Sequence, residues 1–252
     1  MLYFDNRWQL ICNRALFRST QDIYRLGPLQ VLVDYNAGDA NSVRECLSSP
    51  MYRDLVRQLN FERPINLLDI GAHAGGFTLL CQHLGIGLKK VVSVELNPKT
   101  ISRLVFNLSR NLQCLCSFEN VAIASREGTL ELQLGNGSTG DSIYAAQFDT
   151  TSTNVESVRV RSVTFDSLYN KHFGDDLVDL CKMDIEGAEH EVLGNPGHER
   201  LRSCNYLLIE IHQPGGQSPR TIKRLEDLGY RCLGRSNYAH NVYLFANSVR
   251  PK

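Results

Sequence analysis

The stretch LLDIGAHAGGFT, residues 67–78, decides the fold of this chain. It begins as an apolar run that contains one carboxylate, Asp69, and then enters a turn that holds Gly71 and Gly75. From Phe77 onward the chain is again apolar and helix-like. A strand that passes through a glycine turn into a helix is how an open α/β sheet forms a nucleotide-sized crevice at the carboxyl ends of its strands.

A second stretch, CKMDIEGAE at residues 181–189, has the same character. It is an apolar strand pattern that ends in a carboxylate, Asp184. A carboxylate that closes a buried strand requires a reason to be there. The second stretch therefore predicts a reaction half-site at the lip of the crevice that the first stretch forms.

From residue 65 onward, strand and helix patterns alternate along the chain, which predicts a doubly wound, mostly parallel α/β sheet with helices on both faces. Residues 128–134 and 158–163 have the pattern of an inserted or flanking hairpin. We expect a main domain over residues 64–252 and a preface over residues 1–63 that packs on it. Residues 135–156, rich in Gly, Ser, Thr and Asn, are either a lid over the crevice or a plain surface loop.

The preface mixes helix and strand patterns. A helical pattern surrounds Trp8 and Leu16, and residues 29–33 form an apolar strand pattern. Asn41 or Ser42 is the predicted cap of a helix over residues 43–59 that is interrupted near Pro50.

Composition restricts the partners. The chain has 252 residues with 27 Lys plus Arg and 27 Asp plus Glu, so its net charge is zero and gives no support to a nucleic-acid partner. Its eight cysteines are scattered without a CxxC pair, as expected of reduced thiols in a cytoplasmic protein. No apolar run has the length of a membrane span or a signal peptide, and we expect no membrane partner.

The spacing of the glycines indicates the kind of cofactor. A dinucleotide fingerprint requires G-x-G-x-x-G so that the backbone can approach a pyrophosphate, whereas here His73 stands where that motif has its second glycine. The arrangement D-x-G-x-x-x-G suits a nucleoside with an amino-acid tail, S-adenosylmethionine. The next strand pattern ends at Glu95, whose carboxylate can accept both ribose hydroxyls of an adenosine. A third strand ends near Asn120, where backbone and amide contacts can hold an adenine.

These segments together resemble the FkbM family of class I S-adenosylmethionine-dependent methyltransferases. The resemblance covers about residues 65–212 and rests on residues 68–78, Val-Glu-Leu-Asn-Pro at 94–98, Asn-Val-Ala-Ile-Ala at 120–124 and Lys-Met-Asp-Ile-Glu-Gly-Ala-Glu at 182–189. It implies a seven-stranded sheet with six parallel strands and one reversed strand, within a methyltransferase domain over residues 64–252. It also implies O-methylation of a sugar or polyketide-type hydroxyl. Two positions depart from the family pattern, which commonly has asparagine in place of His73 and a larger residue in place of Gly76.

The predicted cofactor site combines the glycine turn with the ends of the neighbouring strands. It consists of Asp69, Gly71, Ala72, His73, Gly75, Glu95, Leu96, Asn120, Val121, Ala122 and Asp184.

Transfer of a methyl group to a sugar hydroxyl requires a proton acceptor within hydrogen-bond reach, because such a hydroxyl does not ionise at neutral pH. Four residues are candidates by their position at the ends of two strands: Asp184, Glu186, Glu210 and His212. We predict that Asp184 positions or deprotonates the acceptor hydroxyl and that His212 and Glu186 assist. Alternation along a strand places Glu210 and His212 on the same face.

Other interpretations of these residues remain open. Glu189 is better explained by the dipole of the helix that follows it than by a catalytic role, and Lys182 is either a partner of a buried acid or a site residue. No metal is predicted; if a divalent cation such as Mg²⁺ is used, its ligands are Asp184, Glu210 and His212.

Three functional classes follow from the sequence. The leading one is an O-methyltransferase acting on a small-molecule or glycoside acceptor. The alternatives are a nicotinamide-dependent oxidoreductase, which the glycine spacing disfavours, and a non-catalytic methyltransferase-like binding protein, which the carboxylates at the strand ends disfavour.

Overall fold

The computed structural model describes residues 3–134, 156–212 and 218–249. The strands are β1 (Gln21–Leu26), β2 (Leu29–Asp34), β3 (Ile65–Ile70), β4 (Leu88–Val94), β5 (Leu115–Glu119), β6 (Ala122–Ile123), β7 (Gly128–Leu134), β8 (Glu156–Val163), β9 (Val178–Met183), β10 (Cys204–Glu210), β11 (Tyr230–Arg235) and β12 (Val242–Asn247). The α-helices are α1 (Arg7–Ala15), α2 (Asp39–Leu47), α3 (Pro50–Val56), α4 (Gly76–His83), α5 (Pro98–Asn111), α6 (Phe165–His172), α7 (Glu189–Gly194) and α8 (Ser218–Asp227).

Seven strands form the central sheet in the order β11-β12-β10-β9-β3-β4-β5. Six of them run parallel and β12 runs antiparallel to both of its neighbours, as the family resemblance implies. The register of β3 on β9 pairs Asp69 with Lys182 and Ile70 with Met183. The two stretches that the sequence singles out therefore lie side by side and end at the same edge of the sheet.

The glycine turn after β3 is fixed by steric crowding. The backbone amides of Gly71 and Ala72 both donate to the Val94 carbonyl of β4, at 3.0 and 2.9 Å. Gly71 has a φ of +74°, and a Cβ there would lie 1.7 Å from the Asp184 carbonyl oxygen. Any side chain at this position would push β3 away from the segment after β9, so glycine is required.

The sheet is covered on both sides by buried apolar side chains. One cluster joins Leu67 of β3 to α4, α5 and the preface, and it includes Phe77 and Leu104. The other joins Leu68 of β3 to α6, α7 and α8, and it includes Phe165. Alternate residues of the same strand thus point into different cores, which is the arrangement of a sheet with helices on both faces.

The preface packs on this core through α2 and β2. Gly76 explains one departure from the family pattern, because a Cβ there would lie 3.1 Å from both Cβ and Sγ of Cys46 in α2. A larger residue at this position would therefore require the Cys46 side chain of α2 to shift. Strand β2 is joined to α5 by the Asn107 side chain, which accepts from the Leu32 amide at 2.7 Å and donates to the Leu32 carbonyl at 3.0 Å.

Two details of the predicted preface are wrong. The helix begins at Asp39 and not after Asn41 or Ser42, because Gly38, at a φ of +75°, ends the preceding turn and allows the helix to start there. Strand β1, which pairs antiparallel with β2, was not predicted. The interruption near Pro50 is confirmed, since Ser49 caps α3 by accepting from the Met51 amide at 3.1 Å.

Strands β6, β7 and β8 form a separate small sheet in which β7 and β8 are antiparallel, so the predicted hairpin is confirmed. Helix α6 was not predicted; Thr164 caps it by accepting from the Ser167 amide at 3.1 Å. The predicted lid falls almost entirely on residues 135–155, which lie outside the described residues. Within the described ranges, no helix has both the length and the apolar character that crossing a membrane requires.

Candidate active site

A cavity of about 310 Å³ lies at the carboxyl ends of β3, β4, β9 and β10. Small-molecule sites usually have volumes of about 300–1,000 Å³. Each of the four strands contributes one residue to its lining. Gly71, Glu95 and Asp184 come directly after β3, β4 and β9, and Glu210 is the last residue of β10. The structure therefore brings together the carboxylates that the sequence placed at separate strand ends.

Glu95 is held in a fixed orientation by the backbone around it. Its Oε2 accepts from the His73 amide at 2.9 Å and its Oε1 from the Asn97 amide at 2.8 Å. The carboxylate is only 6% exposed and lines the cavity. Because each carboxylate oxygen can accept more than one hydrogen bond, Glu95 can also accept hydroxyl groups from a ligand.

His73 has a φ of +48°, a region that asparagine and histidine adopt more readily than most other residues. Its contribution to Glu95 is a backbone amide, which any residue in this conformation provides. The exchange of asparagine for histidine thus leaves this hydrogen bond in place and changes the side chain that lines the cavity.

Some of the other predicted cofactor residues line the cavity, and others lie behind its lining. Leu96, Val121 and Ala122 line the cavity, together with Ala72. The Asn120 amide donates to the carbonyls of Glu95 and Leu96, at 2.8 and 3.0 Å, so this side chain supports the strand end from behind. Gly75, at a φ of +89°, lies at the start of α4 and faces Leu104 and Leu108 of α5.

Asp69 lies beneath the cavity. It is fully buried, its Oδ2 accepts from the Thr78 hydroxyl at 2.7 Å, and its Oδ1 lies 3.9 Å from the Lys182 ammonium. Burial raises the pKa of this carboxyl, while Lys182 and Thr78 act in the opposite direction. Asp69 thus holds α4 and Lys182 to the end of β3.

Lys182 connects the two half-sites. Its buried Nζ donates to the Gly71 carbonyl at 2.7 Å and lies 3.1 Å from Asp184 Oδ2. Burial by itself lowers the pKa of this ammonium, but the negative charges of Asp184 and Asp69 outweigh it and hold the pKa above its ordinary value. The sequence left open whether Lys182 is a partner of a buried acid or a site residue. In the structure it is both, because it neutralises a buried acid and lines the cavity.

Glu210 and Asp184 meet at the hydroxyl of Tyr52, which belongs to α3. The Tyr52 hydroxyl lies 2.9 Å from Glu210 Oε2 and 3.3 Å from Asp184 Oδ2. The other oxygen of Glu210 accepts from the Asn241 amide at 2.9 Å. Burial and the nearby charge of Asp184 raise the pKa of Glu210 to about 7, although His212, Tyr52 and Asn241 favour its ionised form. This carboxylate can take up a proton at neutral pH.

His212 is surrounded by carboxylates. Its Nε2 lies 3.1 Å from Glu186 Oε2 and 3.6 Å from Glu210 Oε1, and its Nδ1 lies 3.2 Å from Glu189 Oε1. Burial lowers the pKa of this imidazole, but the hydrogen bonds to Glu186 and Glu189 outweigh it and raise the pKa to about 11. At neutral pH His212 is therefore an imidazolium, which donates hydrogen bonds and does not accept a proton.

Glu189 and Glu186 serve the turn after β9 in different ways. Glu189 is fully buried and accepts from the amides of Ile185 and Gly187, at 2.9 and 3.0 Å. These amides belong to the turn that precedes α7, and the carboxylate lies in the first turn of that helix, where the helix dipole favours a negative charge. Glu186, at a φ of +53°, lines the cavity, and burial raises the pKa of its carboxyl despite the hydrogen bond to His212.

In the described part of the chain, one group of three residues could hold a metal ion: ligand atoms of Asp184, Glu210 and His212 lie within 4.8 Å of one another. In the structure these three side chains are engaged with other partners. The Lys182 ammonium already lies 3.1 Å from Asp184, and Glu210 accepts from Tyr52 and Asn241. A metal-bound histidine must be neutral, whereas His212 faces a carboxylate at each ring nitrogen.

Three residues near these carboxylates were not found from the sequence: Tyr52, Asn241 and Glu45. Tyr52 lies in an apolar helical pattern and has the signature of a core residue. Asn241 precedes the last strand without a motif. Glu45 lies at the exposed mouth of the cavity, on α2. No local signal identifies them, because their role depends on how the preface and β12 pack against β10.

Comparisons with known proteins show the family and the fold of this chain. A family model described as the methyltransferase FkbM domain matches residues 69–232. Methyltransferase sdnD of Sordaria araneosa is 37% identical over 57 residues, which are 23% of this chain and 22% of that protein. This chain therefore spans only about a fifth of that relative's length.

Two solved structures share the fold. The methyltransferase FkbM from Methylobacillus flagellatus KT has a TM-score of 0.51 at 16% identity, over 79% of this chain and 48% of that chain. The METTL16 methyltransferase domain has a TM-score of 0.50 at 11% identity, over 80% of this chain and 69% of that chain. This chain thus spans about half the length of the Methylobacillus protein. The family model covers more than half of the residues, and the chain belongs to the FkbM methyltransferase domain family.

Proposed function

We propose that this chain transfers a methyl group from S-adenosylmethionine to a hydroxyl of a sugar or of another small natural-product-type acceptor. The observation that carries the proposal is the Glu210 carboxylate, which lines the cavity, is fixed at both oxygens and has a pKa raised to about 7. A hydroxyl acceptor needs such a group, since its proton has to leave as the new carbon–oxygen bond forms.

The residues around the glycine turn fit S-adenosylmethionine. Gly71 lines the cavity and cannot carry a side chain, so bare backbone faces the space next to Asp184. The Glu95 carboxylate can accept the ribose hydroxyls, and Val121 and Ile123 provide an apolar wall for the adenine. The predicted cofactor site thus stands as a proposal. In it, Asp69 and Asn120 do not contact the cofactor but hold in place the residues that do.

The charge of the cavity favours a cationic cofactor. Its lining includes five carboxylates, those of Glu45, Glu95, Asp184, Glu186 and Glu210, against the ammonium of Lys182. A surface of this kind attracts positive charge and repels negative charge. S-adenosylmethionine carries a sulfonium, an ammonium and a carboxylate and so has a net positive charge, whereas a nicotinamide dinucleotide would bring a diphosphate into the same space. Electrostatics and glycine spacing therefore support the same choice of cofactor.

When bound, S-adenosylmethionine supplies an electrophilic methyl group, so the protein has to supply alignment, exclusion of water and a proton acceptor. We assign the acceptance of the proton to Glu210. Asp184, which is held by Lys182 and lies near Tyr52, positions the acceptor hydroxyl. His212 assists as an imidazolium that orients Glu186 and stabilises the charge of Glu210.

A screen with purified protein tests the proposal. The protein is incubated with S-adenosylmethionine and a panel of glycosides and small hydroxylated compounds, and the formation of S-adenosylhomocysteine is measured. We expect turnover with at least one acceptor and none with the same compound after its reactive hydroxyl is replaced by hydrogen. Turnover that is confined to amine acceptors, or NADH binding in place of S-adenosylhomocysteine binding, would contradict it.

Glu95→Ala is expected to weaken S-adenosylmethionine binding by about 1.5–3 kcal/mol, because the ribose hydroxyls lose a charged acceptor. Isothermal calorimetry measures the difference. Glu95→Gln serves as the matched variant: it keeps the size of the side chain and should show a smaller loss. The thermal midpoint without cofactor controls for the hydrogen bonds that Glu95 accepts from the His73 and Asn97 amides. An unchanged affinity of Glu95→Ala would refute the assignment.

A further inference from the structure

Tyr52 is a residue of the preface that reaches the proposed catalytic carboxylates. Its side chain is buried, with 4% exposed, and its ring packs edge-on against Phe77 of α4 at a centroid distance of 5.7 Å. The ring alone accounts for this packing. The hydroxyl makes contacts of a different kind, since it lies within 3.3 Å of carboxylate oxygens from two different strand ends, Glu210 and Asp184.

We propose that Tyr52 is a positioning residue of the active site, whose hydroxyl fixes the carboxylate of Glu210 beside that of Asp184. The preface over residues 1–63 is then part of the catalytic unit, because its helix α3 supplies this hydroxyl. The inference rests on the proposed role of Glu210 as proton acceptor.

The geometry shows why the hydroxyl matters. Tyr52 donates to Oε2 of Glu210 at 2.9 Å and Asn241 donates to Oε1 at 2.9 Å, so the carboxylate is held from both sides. A carboxylate fixed in this way cannot rotate freely and presents its remaining lone pairs in set directions. Such alignment is a large part of what an enzyme contributes to a displacement reaction.

The charged and titratable groups around Glu210 come from several segments. Tyr52 faces it from α3, Asp184 from the segment after β9, and His212 from the segment after β10. Asn241, from the segment before β12, is uncharged. The hydrogen bond from Tyr52 favours the ionised form of Glu210 and therefore lowers its pKa. Without that bond the pKa of Glu210 rises.

Tyr52→Phe tests the inference, with Tyr206→Phe as the matched control. The phenylalanine ring keeps the contact with Phe77. Tyr206 lies on β10, on the same face as Glu210, and packs edge-on against Phe61, away from the cavity. We expect both variants to remain folded, with the cofactor affinity and the acceptor KM of the wild type. In Tyr52→Phe, kcat should fall by about tenfold to a hundredfold, as for a misaligned reacting group.

The pH profile separates positioning from packing. Activity requires ionised Glu210, so the acid limb of kcat/KM in Tyr52→Phe should move to higher pH by about one unit, and that of Tyr206→Phe should stay in place. Equal kcat values and equal positions of the acid limb in the two variants would overturn the inference.

A second readout does not depend on methyl transfer. The carboxyl of Glu210 is titrated by NMR in the cofactor-free protein, with Glu210→Gln to assign its signal, and its midpoint should rise in Tyr52→Phe. An unchanged midpoint overturns the inference. If the wild-type protein methylates no acceptor, the proposed function fails, while this titration still decides the role of Tyr52.

Discussion

Glu210→Gln is expected to lower methyl transfer by about a hundredfold to ten-thousandfold, the range typical of removing a general base. The glutamine keeps the size and the polar character of the side chain but cannot accept the proton of the acceptor hydroxyl. Affinity for S-adenosylmethionine should change little, because the substitution leaves the Gly71 turn and the Glu95 carboxylate intact. The measurement is kcat at saturating cofactor, with calorimetry for binding.

The matched control is Glu226→Gln, which makes the same chemical change at an exposed site on α8 and should leave turnover unchanged. In the wild-type enzyme, kcat/KM should fall as the pH falls through about 7, the pKa of Glu210 in the folded protein. This acid limb should disappear from the residual activity of Glu210→Gln. Equal turnover in the Glu210 and Glu226 variants would remove Glu210 from the mechanism.

The raised pKa of Glu210 also has a consequence for stability. The folded protein holds the proton of this carboxyl up to a pH of about 7, whereas the unfolded chain loses it near its ordinary value of 4.5. Between these two values the folded state binds more protons, so the contribution of Glu210 to stability decreases as the pH rises. Glu210→Gln should therefore be no less stable than the wild type at neutral pH, which separates its loss of turnover from unfolding.

Lys182→Met is expected to destabilise the protein by about 3–5 kcal/mol, the usual effect of removing one partner of a buried ion pair. The methionine keeps the apolar stem but leaves Asp69 buried without a cation. It also leaves the Gly71 carbonyl without its donor at 2.7 Å. The free energy of unfolding in urea measures the effect.

Two control variants identify the cause of the stability loss in Lys182→Met. Lys223→Met removes an ammonium that pairs with Asp227 on the surface of α8, and stability should change little. The double variant Lys182→Met/Asp69→Asn removes the buried charge together with its partner and should recover part of the stability. If Lys182→Met is as stable as Lys223→Met, the buried ion pair contributes nothing.

The sequence predicts the central sheet well because its signals are local. An apolar run, a glycine turn and an apolar helix in succession suffice to define a β3-turn-α4 unit, and repetition of that pattern defines the parallel sheet. The carboxylates at the strand ends follow from the same reasoning, since parallel strands end at one edge. The strand pattern therefore suffices to place Asp184 and Glu210 close together.

The roles within the site depend on tertiary contacts that no local pattern encodes. His212 has the pattern of a general base, yet the carboxylates of Glu186 and Glu189 keep it protonated. Glu210, one of the four candidate proton acceptors that the sequence offers, acquires its raised pKa from burial and from Asp184. Tyr52 reaches it from 158 residues away in the chain. The charge state of a buried group is a property of its neighbours, which the fold brings together.

The destination of the methyl group tests the central claim most directly. Protein, isotopically labelled S-adenosylmethionine and the acceptor found in the screen are incubated together, and NMR of the product shows which atom carries the label. We predict a methoxy group in the wild-type reaction and a strongly reduced signal with Glu210→Gln. A label on nitrogen or carbon, or equal labelling by both proteins, would contradict a hydroxyl-directed methyl transfer that depends on Glu210.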